Sequence, residues 1–335
     1  IYRPRESPTR IVPIDKPGLI ALVISVGSLQ IMLDKGKELD WFHSPLVLGL
    51  GVVSLIGFAF FVAWELTDDH PVVDLKLLAR RNFWTGTVAM AVAYSLFMGN
   101  LVLLPLWLQQ FMGYTSTQAG MLMAPVGLFA IILSPVVGKN ISKFDPRSLT
   151  TFAFAVFALV LFMRSHFNTQ ADFGTIMVPT IIQGVAVAFF FIPLTSIILG
   201  GIPPEKIPSA SGLSSFARMV GGSFGTSIAI TIWQDRAALH HAQLAELVNR
   251  GSSATTSALA GFNAGGMSTE QALSQINRMV DQQAFMLAAN DVFYGSAIIF
   301  VLLVPLVWLA RPASRSVGAP TSGSAGAADA AAGAH

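Results

Sequence analysis

Between Arg81 and Lys139 the chain carries no charged side chain, a stretch of fifty-seven residues. As one helix it would run about 85 Å, against a bilayer hydrocarbon core of about 30 Å. It must therefore turn at least once. The polar break at 113–118 (GYTSTQ) supplies the turn and divides the stretch into two apolar spans, 83–111 and 117–138.

Composition points the same way. Hydrophobic residues make up 53% of the 335 and charged residues 11%, where soluble domains carry about 25% charged. Mean hydropathy is +0.63. A chain of this kind lacks the polar surface of a water-soluble enzyme and reads as a polytopic membrane protein. Net charge is +2, and no basic run or zinc-ligand spacing marks a nucleic-acid partner. The absence of cysteine excludes disulfides and thiolate chemistry.

Six more apolar spans follow from the same length rule: 18–33, 45–64, 149–163, 173–199, 209–233 and 285–310. The expectation is an all-α membrane protein of eight transmembrane helices. An even number places both ends of the segment on one side. With that side cytoplasmic, most of the 20 Lys and Arg lie inside; Lys35, Lys37, Arg164, Arg236, Arg250 and Arg278 lie outside. Prolines 105, 125, 135, 179, 193 and 305 fall within spans, where neighbouring helices satisfy the freed backbone groups.

The remaining stretches read as follows. Residues 1–17 form a basic cytoplasmic loop that starts at Ile1, so the sequence is expected to begin in mid-protein. Residues 67–81 form a cytoplasmic linker. Residues 234–283 form a polar outer segment. Within it, Ser268 to Gln271 reads as a capping box opening a short helix to Val280. A second helix is expected over 237–248, with a flexible Gly/Ser/Ala stretch between the two. The tail 312–335 is of low complexity and expected to be disordered.

Candidate site residues are the polar groups that apolar spans do not need. Asp291, six residues into the last span, is a proton-relay candidate or reaches the outer headgroups. Arg218, nine residues into its span, faces a cavity or snorkels to the surface. Asp145, Lys139 and Arg147 in the loop 138–147 either clamp two helix ends or form an ordinary basic loop. Asn100, Gln109 and Gln183 line a substrate path or bond helix to helix. Phe97 and Phe190 belong to a deformable apolar pocket or to plain filler. Gly221, Gly222 and Gly225 mark a close-packing face. Asp34 reads as the solvated end of the first span. No nucleophile–base pair and no phosphate-binding loop appears, so neither an enzyme nor an ATP-driven pump is indicated and no cofactor is expected.

Four stretches carry a family resemblance: 28–42 (SLQIMLDKGKELDWF), 70–78 (HPVVDLKLL) with Arg81-Asn82-Phe83, 183–193 (QGVAVAFFFIP) and 210–222 (ASGLSSFARMVGG). They resemble the major facilitator superfamily, and within it the fourteen-helix drug:proton antiporters of the EmrB/QacA type. The resemblance covers about 14–312. It implies that 18–66 is the extra central helix pair and 82–311 the C-terminal six-helix bundle, with the N-terminal six helices missing. The loop 138–147 resembles a degenerate copy of the family's cytoplasmic gating motif, from which Pro146 departs.

The resemblance further implies part of a multidrug exporter of lipophilic or cationic compounds in the bacterial inner membrane. A proton gradient would drive it. Its partners would be the bilayer, the missing half, a periplasmic adaptor at 234–283, an outer-membrane duct and small-molecule drugs. The alternatives are a facilitator for one metabolite and a non-transporting scaffold that docks the adaptor. Asp291 and Arg218 would then be coupling or gating charges.

Overall fold

The computed structural model describes residues 15–36, 38–39, 41–67, 75–141, 143–248 and 252–311. The basic N-terminal loop up to residue 14, residues 68–74 of the linker (with the 70–74 part of the quoted stretch) and the tail from 312 lie outside the described residues. The regular elements found are helical. They are α1 (Lys16–Gly36), α2 (Pro45–Thr67), α3 (Arg81–Phe111), α4 (Ser116–Asn140), α5 (Pro146–Arg164), α6 (Phe173–Leu199), α7 (Ile207–Leu247), α8 (Ser253–Ala264) and α9 (Thr269–Trp308).

Local chemistry sets the helix starts. Thr115 and Gln118 form a reciprocal capping box at α4, and Ser268 and Gln271 another at α9. Asp145 caps α5 with Pro146 at its first position, and Asp172 caps α6 by accepting from Thr175 N at 3.0 Å. Each proline expected within a span does lie inside a helix.

Seven of these helices, α1 to α6 and α9, are long and apolar enough to cross a membrane. The expected count of eight is thereby not reached. The helix that falls short is α7, whose first half is rich in Ser, Gly and Thr and carries Arg218. It is nevertheless central to the bundle, packing on α3, α9 and α1. Helices α3, α7, α9, α5 and α6 form the body, with α4 against α6; α1 and α2 form a hairpin that meets the body through α1 and α7.

At the heart of the body is a cluster of rings. Phe157 stacks on Phe300 at 4.9 Å, and Phe97, Phe154 and Phe190 surround them at 5.7–5.8 Å. Lipid tails are as apolar as these side chains, so the cluster stabilises by close dispersion contact rather than by leaving water. The α3–α7 seam uses the other device available in a membrane, small residues. A Cβ on Gly225 would collide with the Ser95 backbone, and one on Gly221 would come within 2.6 Å of Ala91 O. This is the close-packing face that the glycine spacing predicts.

One end of the body is stitched by arginines and may be called the basic end. Arg80 donates to Gly201 O, Asn82 pairs with the backbone of Arg311, and Arg147 donates to Ala310 O. At the opposite end, α7 and α9 run on beyond the body. Each is about 60 Å long, about twice the hydrocarbon core. The spans expected to stop at 233 and start at 285 therefore continue as helix into the stretch expected to be a polar outer segment. The reason is visible in the chain: no Gly or Pro occurs over 226–250 or 267–294, and Ala, Leu, Gln and Glu hold the helix through the change from apolar to polar. The stretch expected to be flexible contains a helix, α8, capped by Ser252 and packed on α9.

Candidate functional site

The arrangement with most to offer a ligand lies where the hairpin meets the body. On α1, Gln30 and Asp34 are one turn apart and share a face. Gln30 Nε2 donates to both Asp34 carboxylate oxygens at 3.0 and 3.1 Å. Ser227 Oγ on α7 donates to Asp34 Oδ1 at 2.8 Å, tying the hairpin to the body. Beneath this bond is a cavity of about 440 Å³ walled by Tyr94 and Met98 of α3 and by Met219, Gly222, Ser223 and Thr226 of α7. Gly222 makes the room: a Cβ there would lie 2.7 Å from the Tyr94 ring. On the other stripe of α7, a cavity of about 640 Å³ with an almost wholly apolar wall separates the hairpin from α7. Phe42, Phe58, Phe216 and Phe224 line it.

Arg218 lies one helical turn from Gly222 toward the basic end. Its guanidinium sits 5.0 Å from the Tyr94 ring centre and 6.0 Å from that of Phe191. The intramembrane cation is thus held on two aromatic faces, from α3 and α6, a weakly hydrated arrangement that suits Arg better than Lys. Arg218 is half-buried and lines neither cavity beside the hairpin.

The other candidates fall in separate places. Asp291 sits at the start of the long extension, where its Oδ2 accepts from Arg236 Nη2 and His240 Nε2, both at 2.7 Å. It clamps α9 to α7 and is one-third exposed. Asp145 and Arg147 pair at 2.8 Å, and Arg147 also covers the Trp308 ring at 5.0 Å. The pair therefore joins the start of α5 to the end of α9 within one bundle. The Arg147 guanidinium holds the Asp145 carboxyl below the usual carboxylate range. Lys139 is exposed in the last turn of α4, where a cation complements the carbonyl end of the helix.

The polar residues expected along a substrate path bond helix to helix instead. Buried Asn100 donates to Leu96 O at 2.7 Å and to Ser296 Oγ at 3.1 Å, joining α3 to α9. Gln109 is exposed and accepts from Ser116 across the α3–α4 turn. Gln183 is buried and accepts from Arg164 at 2.7 Å. Phe97 and Phe190 belong to the ring cluster of the core. None of these five lines either cavity beside the hairpin.

Two residues were read differently from sequence. Arg164, counted there as an outer loop charge, is 1% exposed and is held between α5 and α6 by Gln183 and by Thr180 at 3.2 Å. Thr180 and Gln183 are three apart, a helical face that signals a partner on the neighbouring helix. Asp34, taken as a solvated helix end, is exposed as expected but also accepts from Ser227 of α7. Its signal was Gln30 four residues earlier.

The chain is matched by the model of the Major Facilitator Superfamily over residues 18–226. It belongs to the major facilitator superfamily. Among curated relatives, the multidrug export protein EmrB of Escherichia coli (strain K12) is 47% identical over 314 residues, 92% of this chain and 61% of its own length. The fatty acid resistance protein FarB of Neisseria gonorrhoeae is 41% identical, over 94% of this chain and 62% of its own length. The lincomycin resistance protein LmrB of Listeria monocytogenes is 25% identical over 65% of this chain. The chain thus spans about six-tenths of the length of the curated relatives that resemble it most among these. As a superfamily member it is a multi-pass membrane protein.

Proposed function

We propose that this chain is the C-terminal part of a multidrug exporter of the bacterial inner membrane, driven by the proton gradient. The observation that carries the reading is the 47% identity to a multidrug export protein over 314 residues, 92% of this chain. The intramembrane Arg218, set on aromatic faces beside the Asp34 cavity, is consistent with a helix that rearranges during transport. In this reading α7 also crosses and brings the count to eight, α1 and α2 are the central pair, and α3 to α7 with α9 form the C-terminal bundle. The basic end is cytoplasmic, as the positive-inside rule favours.

The extension of α7, α8 and α9 then stands in the periplasm. It is the surface we assign to a periplasmic adaptor, through which an outer-membrane duct would be reached. The narrower substrate guess of lipophilic compounds rests on the relatives' names, which include drug and fatty acid resistance.

The test is drug extrusion by the native full-length polypeptide in cells stripped of other pumps. Resistance to several unrelated lipophilic compounds, abolished by collapsing the proton gradient, is the expected result. Resistance confined to one compound would favour a single-metabolite facilitator. No resistance, with an adaptor still retained on purification, would favour a scaffold.

A further inference from the structure

We infer that a groove along the α1–α2 hairpin, on a face that no body helix lines, holds an acyl chain of an anionic phospholipid, with Lys16 at the lipid phosphate. The inference needs a bilayer and no transport, so it stands apart from the export reading. The hairpin is then tied to a particular lipid as well as to α7.

The groove comes from a contrast in side-chain size. Ala21 of α1 and Gly57 of α2 form its floor, and Ile20, Ile24, Ile56 and Phe60 form its walls. Gly57 lets the two helices close, since a Cβ there would lie 3.1 Å from the Ser25 Cβ. Ala21 is buried, while all four wall residues are exposed. Both helices are long and apolar enough to cross a membrane, so these exposed faces meet lipid tails. A flat apolar face makes fleeting contacts with tails. A groove of about 560 Å³ offers one tail dispersion contact on both sides. It runs along the helices for about 12 Å, from Lys16 to Ile24.

The top of the groove specifies the head. Among the described residues that line it, only Lys16 carries a charge. Lys16 is the first residue of α1, so it cannot serve the helix carbonyls, which end at the other terminus. It is exposed, and among the described residues it forms no ion pair. Its neighbour Asp15 turns inward, where Oδ1 accepts from Gly18 N at 3.0 Å and from Trp64 Nε1 at 3.1 Å. Trp64 stacks on Phe60 at 5.8 Å and extends that wall to the level of Lys16. An indole at the end of a span marks headgroup depth. The groove therefore leads from a cation at headgroup depth into the hydrocarbon, the layout of a lipid phosphate above its tail. A zwitterionic head brings its own ammonium beside the phosphate and has less to gain from Lys16. A net negative head pairs with it fully.

The native full-length polypeptide in detergent is titrated with phosphatidylglycerol or with phosphatidylcholine of the same chains. Bound lipid is counted by native mass spectrometry. Wild type should retain phosphatidylglycerol at lower concentration than phosphatidylcholine. Lys16→Gln should weaken phosphatidylglycerol binding by about fivefold and leave phosphatidylcholine unchanged. Lys16→Arg should keep the preference. Phe60→Ala, which opens one wall, should weaken both lipids and keep their ratio. Lys143→Gln removes a charge from the exposed α4–α5 turn, where no such groove lies, and should match wild type.

Equal retention of the two lipids by wild type overturns the inference. So does a preference that survives in Lys16→Gln, or one lost as much in Lys143→Gln, which would reduce it to the general positive charge of that end. Phosphatidylglycerol binding unchanged in Phe60→Ala would mean that the head is held without the tail, and the groove would have no part in it.

Discussion

Helix α7 meets α3 through glycines and meets α1 through the Ser227–Asp34 bond with a cavity on either stripe. On the α3 side the backbones approach until Gly225 has no room for a methyl group. On the α1 side, phenylalanines and an exposed carboxylate border open space between the helices. Small residues in a membrane remove space and fix a seam. Large and polar ones keep space open for something else. One helix therefore carries a rigid joint and a binding wall at once, and the stripe of residues decides which.

The largest expected effect lies in the rigid joint. Gly225→Ala should destabilise the folded protein by about 3 kcal/mol, because backbone cannot retreat as a side chain can. Gly212→Ala, on the same helix with open space around it, should be neutral or slightly stabilising. Thermal unfolding in detergent measures both. Equal effects would mean that the α3–α7 seam yields as easily as the hairpin seam, and the contrast between them would fail.

Next comes the buried cation. Gln183→Leu leaves Arg164 without its 2.7 Å acceptor and should cost about 2 kcal/mol. Adding Arg164→Met should recover most of that loss, since an apolar side chain of similar length no longer needs a partner. The same unfolding measurement applies. No recovery in the double variant would mean that Arg164 contributes by packing shape rather than as a charge to be satisfied.

The apolar spans were legible in the sequence because length and hydropathy act residue by residue. So were the α9 capping box and the glycine face, which depend on spacing along one helix. What stayed hidden depends on partners far apart in the chain. Arg164 ends an apolar run and looks like any boundary charge until α6 brings Thr180 and Gln183 over it. Asp34 is a solvated helix end, but nothing near it in the chain says that Ser227, 193 residues away, donates to it. Asn100 and Gln183 are polar groups in apolar helices, and nothing local says whether their partner is a substrate or another helix. The continuity of α7 and α9 into the polar stretch was missed for a different reason: hydropathy marks where a membrane ends, while helix continuity follows propensity and the absence of Gly and Pro.

Away from both seams, effects should be smaller. Asp291→Asn removes the acceptor charge shared by Arg236 and His240, but the group is partly exposed and solvent screens it. The expected cost is under about 1 kcal/mol, seen as faster amide exchange confined to the α7–α9 extension. Exchange that rises through the body as well would show that the extension and the body unfold together.

The smallest effect concerns Asp145. Arg147 depresses its carboxyl pKa in the folded state, so the pair stabilises fully above the unfolded value of about 3.9. That contribution is lost as pH falls through the lower folded value. Asp145→Asn keeps a helix-capping side chain and removes only the charge, so wild type should exceed it by a few tenths of a kcal/mol at neutral pH. The two stabilities should converge as the pH drops below about 4. A difference that persists unchanged in acid would mean that Asp145 acts through cap geometry alone. The link from α5 to α9 would then rest on Arg147, its bond to Ala310 and its place over Trp308.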